Sequence, residues 1–238
     1  MKSDAASSSG PRPRWQKLVA GVGGAALLST ALIGFAHTQA GRPLLALMTG
    51  APGCPAGLDE QDPVRVEAFR IEQLRKHTGS VAAGSHEALG FVLGASLRSD
   101  VNRWVEQRSA SCEEKRQGSV LRCLDVATDS EGKIADLHFQ FDAGQRLVAV
   151  DLFWDAGSGE RALARYEAAT ALLHSRVGPS TGHSGTPSAR YLEAGYLRRV
   201  ASEFNYERYV AKVSATNFGS VGVRVREQYQ WIPDSRVD

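Results

Sequence analysis

The chain has 238 residues, 28 lysines and arginines against 26 acids, and three cysteines. A net charge of +2 without a dominant basic cluster along the sequence argues against the concentrated positive face that nucleic-acid binding requires, and no nucleic-acid partner is expected. No metal-ligand spacing, phosphate loop or cofactor fingerprint is present either, so no metal or cofactor site is expected.

Residues 1–17 are rich in Ser, Gly, Pro and basic side chains and read as a disordered cytoplasmic tail. Leu18 to Ala36 then runs without a charge, after Arg12, Arg14 and Lys17. As a helix this run reaches roughly 28 Å, close to the hydrocarbon thickness of a bilayer. The basic flank keeps the N-terminus in the cytoplasm and exports the rest. The expectation is a domain outside the cytoplasm, periplasmic or on the cell surface. It is held by an uncleaved transmembrane anchor or, alternatively, secreted after signal cleavage near Ala36 or Ala40.

Residues 37–88 read as a linker carrying one short helix, from Asp62-Pro63 to about Lys76. Asp62 is a natural N-cap, and a proline at the first helical position loses no hydrogen bond. Val64, Ala68 and Ile71 are expected on one face, and His77 to His86 as a further Gly/Ser-rich link.

Residues 89–234 are expected to form an α+β domain of two helix-plus-antiparallel-meander units, 89–154 and 159–231. In the first, Leu97, Val101, Trp104 and Val105 recur at helical spacing. A hairpin with its loop at Gln117-Gly118 follows, pairing Lys115 with Val120 and placing Cys112 opposite Cys123. Opposed strand residues are close enough for a disulfide, so Cys112–Cys123 is the expected bridge and Cys54 the leftover thiol. Ile134 to Asp142 alternates Leu137, Phe139 and Phe141 with Asp136, His138 and Gln140, the period of a half-buried strand. Arg146 to Trp154 is apolar on nearly both faces and suits the middle of a sheet.

In the second unit Leu163, Tyr166, Thr170, Leu173 and Val177 mark a helix starting near Gly159 and stopping at Gly178-Pro179. Leu197–Tyr206, Tyr209–Asn217 and Val221–Trp231 alternate as strands. Arg146-Leu147-Val148-Ala149 resembles Arg208-Tyr209-Val210-Ala211, which suggests a tandem repeat offset by 62 positions (208 − 146). Under that offset the cysteine hairpin has no equivalent, and Gly178 to Ser188 reads as a surface loop.

Leu93-Gly94 entering the Ser96–Arg108 helix, and the Phe141–Leu147 hairpin ending in an apolar strand, are similar to the SmpA/OmlA (BamE-like) envelope lipoproteins. They are also similar to the tandem β-lactamase-inhibitor-protein fold. The resemblance implies a helix-on-sheet fold and a protein-binding role, and it transfers no site residue. A lipid-bearing cysteine at a mature N-terminus is missing from the pattern, because Ala51-Pro52-Gly53 before Cys54 is a poor acylation signal.

For chemistry, His138 shares a strand face with Asp136 and Gln140 but has no nucleophile placed with it. His183 sits in a Gly-rich stretch with no lysine to hold a phosphate. The expectation is therefore a non-catalytic, protein-binding or scaffolding envelope protein; the alternative is a secreted hydrolase or inhibitor whose site is assembled from scattered residues. Phe204, Tyr206, Tyr209, Tyr229 and Trp231 cluster in the last strands as a candidate interface, or else as the buried face of the sheet.

Overall fold

A computed structural model describes residues 63–128 and 132–234. The segment Leu18–Ala36, Cys54 and Asp62, the cap expected from the sequence, lie outside the described residues. Among those described, no helix is long and apolar enough to cross a membrane.

Helix α1 spans Pro63–Arg75. A two-stranded hairpin follows, β1 (Glu87–Ala88) with β2 (Phe91–Val92), and then α2 (Arg98–Gln107). Strands β3 (Ser111–Lys115), β4 (Val120–Ala127), β5 (Lys133–Phe141) and β6 (Leu147–Gly157) complete the first half. The second half comprises α3 (Gly159–Arg176), β7 (Gly182–Ser184), α4 (Ala189–Glu193), β8 (Arg199–Asn205), β9 (Tyr209–Asn217) and β10 (Val223–Trp231).

Strands β3 to β10 form one antiparallel sheet of eight, in the order β3-β4-β5-β6-β10-β9-β8-β7. Each half is a meander whose last strand lies at the centre, so β6 and β10 make the seam. Their ladder runs from Val223 opposite Gly157 to Gln230 opposite Ala149. β6 is buried along most of its length because it has a strand on either side and a helix layer above.

The alternation in β5 sorts the two faces. Leu137, Phe139 and Phe141 are buried and carry α2, whose Trp104 meets Phe139 edge-on at 5.8 Å. The same layer continues across the seam through Val150, Leu152, Val225 and Tyr229 to α3. α3 starts on Ser158, whose hydroxyl accepts from the Arg161 amide, and its Ala162, Tyr166, Ala169 and Leu173 turn to the sheet. Burying such side chains contributes roughly 1.5–3 kcal/mol each for the larger ones. Gly94 lets the chain pass under Trp231, because a β-carbon there would lie 2.5 Å from the indole ring.

The cysteine hairpin has the register read from the sequence. Cys112 stands opposite Cys123, Glu113 opposite Arg122 and Lys115 opposite Val120, and the two cysteines are joined in a disulfide. Gln117 and Gly118 both take positive φ, 54° and 83°, and the Ser119 amide donates to the Arg116 carbonyl at 3.1 Å.

Several expectations change. The 62-residue offset lays β6 on β9, whereas position in the sheet relates β6 to β10. The stretch Gly178 to Ser188 contains β7, which pairs with β8 as β3 pairs with β4, so the cysteine hairpin does have a positional counterpart. Val221 belongs to a 3-10 turn and is exposed, not part of the valine face of β10. The segment after α1 is not a free link: the Gly84 amide donates to the Val177 carbonyl and the Glu207 amide to the Val81 carbonyl.

Candidate functional site: the grooved face of the sheet

The second face of the sheet carries no layer from α2 or α3. It presents Arg224, Arg226, Gln228 and Gln230 on β10, and Asp151 and Phe153 on β6. β5 adds Asp136, His138 and Gln140, and β4 adds Arg122. These are the alternate positions of strands whose other residues fill the core, so their polarity follows from the two-residue period.

α1 crosses this face. It is held by polar contacts: Gln140 Nε2 donates to Glu67 at 3.1 Å, and Arg70 donates to the Trp231 carbonyl at 3.1 Å and to Gln230 at 3.4 Å. Arg70 also forms a two-pronged pair with Glu67, at 2.8 and 2.6 Å. None of residues 64–75 is fully buried. Of the residues expected on an apolar face, Ile71 is half-buried while Val64 and Ala68 are exposed; Val66, Phe69 and Leu74 are half-buried in their place. The helix is clipped over the sheet rather than packed into it.

On one side of α1 this leaves a groove of about 860 Å³, floored by Arg122, His138, Gln140, Asp151, Arg226 and Gln228. A smaller pocket of about 320 Å³ lies on its other side, beside Phe141, Val148 and Trp231. Arg122 grips Asp136 at 2.9 and 2.7 Å, and His138 Nε2 lies 2.9 Å from the same carboxylate. Burial alone would raise the Asp136 pKa, but the hydrogen bond from Arg122 and the His138 and Arg122 charges outweigh it and hold it below the usual range. Arg226 pairs with Asp151 and lies over the Phe153 ring, 4.9 Å from its centroid, while the His138 ring tilts against Phe153 at 5.9 Å.

Chemically this is a surface of guanidinium, carboxamide and imidazole groups with an aromatic plate. It can present donors and acceptors to an incoming surface. Among the lining residues of the larger groove there is no Ser, Thr, Cys or Tyr to act as a nucleophile. No group of three or more metal-ligating side chains converges among the described residues.

Of the aromatic residues singled out from the sequence, Phe204, Tyr206, Tyr209 and Tyr229 are buried in the inner layer and offer no open surface, whereas Trp231 is partly buried, packing against the same core and lining the smaller pocket beside α1. Burial raises the Tyr229 pKa strongly, with the neighbouring Glu227 carboxylate adding to it. The cause is strand parity: Tyr209 and Tyr229 share the face that carries α3. The residues that do line the open face, Asp151, Phe153, Arg226 and Gln228, escape sequence reading because the β6–β10 ladder brings them together across some 75 positions. The polar alternation Arg224-x-Arg226-x-Gln228-x-Gln230 was the available signal.

His183 occupies a separate polar chain. Its Nε2 meets Ser180 Oγ at 2.6 Å, its Nδ1 meets Ser202 Oγ at 3.0 Å, and Ser202 meets Tyr166 OH at 2.6 Å. Ser202 is fully buried, and these partners satisfy its hydroxyl. The chain lies apart from both grooves.

Compared with family models, curated proteins and solved structures, the chain matches none.

Proposed function

We propose that the chain is a non-catalytic, membrane-tethered or exported envelope protein that binds another protein through the grooved face of its sheet, the one opposite α2 and α3. The observation that carries this reading is α1 itself: a helix with no fully buried residue from Val64 to Arg75 lies on that face through side-chain hydrogen bonds, with space on both sides. Beyond α1, β9 and β10 extend the face with Lys212, Thr216 and Arg224, all partly exposed. A sheet surface of this kind offers alternating polar groups and one aromatic plate, the mixture of rim and anchor found at protein interfaces. The tandem-repeat reading fits the same picture, since two meanders meeting at a seam make a surface wider than either alone. The transmembrane anchor remains the reading of Leu18 to Ala36.

The test is affinity capture by the full chain from envelope extract, run beside the double variant Gln228→Arg/Thr216→Arg. Both positions are on the open face and outside the core, so the fold should survive, which circular dichroism checks. A protein retained by the wild type and lost from the variant supports the reading. Equal retention by both overturns it.

A further inference from the structure

One end of the sheet, away from the grooved face, carries four large apolar side chains in the open. Tyr196 is 69% exposed, Val221 58%, Leu197 55% and Phe218 40%. The fold brings them together: the Leu197 amide donates to the Asn217 carbonyl at 2.8 Å, and the Tyr196 ring lies against Gly219 in the turn between β9 and β10. Asn217 in turn donates to the Leu192 carbonyl of α4 at 2.8 Å, fixing the loop before β8 to the same turn. Exposed apolar residues scattered singly need no explanation, but a convergent group on one built tip does.

The charge around that tip is equally uneven. Arg70, Arg98, Arg122, Arg165, Arg208 and Arg226 each have a carboxylate within ion-pairing distance. Among the described residues no carboxylate pairs with Arg161, Arg190, Arg198 or Arg199, and all four are exposed. Arg198 lies over the Tyr191 ring at 5.3 Å, and Arg161 reaches Gly157, which touches Gly222 of the β9–β10 turn. The acids at this end are already engaged or outnumbered. Asp155 pairs with Arg224 at 2.7 Å, Glu193 accepts the Gly159 amide at 2.8 Å, and Glu160 stands alone. Arg199 is felt by Glu203, but Glu203 is paired with Lys212.

We infer that this tip is a peripheral docking surface for an anionic lipid bilayer. Tyr196, Leu197, Phe218 and Val221 enter the headgroup–acyl boundary, and Arg161, Arg190, Arg198 and Arg199 meet the lipid phosphates. Aromatic and aliphatic side chains at the head of a basic rim are the combination that binds such an interface, and each basic residue near the surface strengthens it. A lipid surface is favoured over an acidic protein because the uncharged run Leu18 to Ala36, read as a membrane segment, places the domain beside a bilayer at high effective concentration. This use of the tip rests on the membrane-tethered reading of Leu18 to Ala36 and is independent of what the grooved face binds.

The experiment places an environment-sensitive fluorophore at Val221→Cys in the full chain carrying Cys54→Ser. A control label goes at Ala143→Cys, in the turn at the opposite end of the sheet. The labelled chains are reconstituted into phosphatidylcholine vesicles with or without phosphatidylglycerol. The expected result is a blue shift, and quenching by spin-labelled lipid, at 221 but not at 143 and only in the anionic vesicles. Arg198→Glu with Arg199→Glu should lower the ratio of inserted to free tip about twenty-fivefold or more, on the order of fivefold per arginine. A label at 221 that stays water-exposed in anionic vesicles overturns the proposal in favour of an acidic protein partner. A shift as large at 143 also overturns it.

Discussion

Glu227, buried beneath α3 on the central strand β10, is held by Arg165, whose Nε and Nη2 both donate to one carboxylate oxygen at 2.9 and 2.6 Å. Tyr229 donates to the other oxygen at 2.6 Å, and the Arg165 guanidinium lies 3.7 Å from the Trp154 ring centroid. One arginine thus clamps the helix of the second half to both seam strands.

Removing that arginine leaves a carboxylate in the core with only a phenol to satisfy it. Arg165→Ala is expected to cost about 3 kcal/mol, near the low end for a broken buried pair because Arg165 is itself one-third exposed. Arg165→Met with Glu227→Gln should recover much of the loss, since the stranded charge is then gone. Urea unfolding of the wild type, Arg165→Met, Glu227→Gln and the double variant gives the cycle, and additivity of the two single changes would show that the pair is not coupled.

The disulfide closes a short loop between adjacent strands, so its expected contribution is modest. Replacing both Cys112 and Cys123 by Ala should destabilise the domain by about 2–3 kcal/mol. For a domain of this size that lowers Tm by roughly 4–12 °C. The fold should persist, because Cys123 is one member of a core that spans both halves. Scanning calorimetry with and without reductant checks both statements. An unchanged Tm would mean that the cross-link constrains nothing the hairpin does not already hold.

Alkaline pH should unfold the domain by a route that acid does not share. Burial, with Glu87 adding to it at Tyr209 and Glu227 at Tyr229, raises both phenol pKa values above the usual 10.0. The stabilisation is therefore complete below pH 10 and is lost as pH rises through the folded values, because the unfolded chain ionises first. Urea midpoints at pH 8 and pH 11 should differ, and less so in Tyr209→Phe, whose hydroxyl makes only a 3.5 Å contact to the Glu87 carbonyl. Equal pH slopes for the wild type and Tyr209→Phe would contradict this.

Local patterns were legible in the sequence. Leu137, Phe139 and Phe141 announced β5, and the spacing of Cys112 and Cys123 about Gln117-Gly118 announced the hairpin and its register. The two-faced apolarity of β6 announced a central strand. What the sequence did not display is set by contacts between distant segments. The aromatic cluster from Phe204 to Trp231 is inner or outer depending on which face α3 covers, and only the packed sheet decides that. β7 and α4 span only Gly182–Ser184 and Ala189–Glu193, too short to show a period. The seam pairing of β6 with β10 aligns Phe153 with Arg226 and Leu152 with Glu227, and no local signal marks it. The open face, assembled across that seam, was hidden for the same reason.

The central claim is that the grooved face, and not the layer of α2 and α3, meets a protein partner. Its most direct measurement is site-specific photo-crosslinking in the intact envelope, with the reactive side chain at Gln228 on the open face or at Glu167 on the outer surface of α3. A discrete heteromeric adduct is expected from position 228 and none from 167. An adduct from 167 alone, or none from 228 under conditions where the chain is folded and in place, would contradict it.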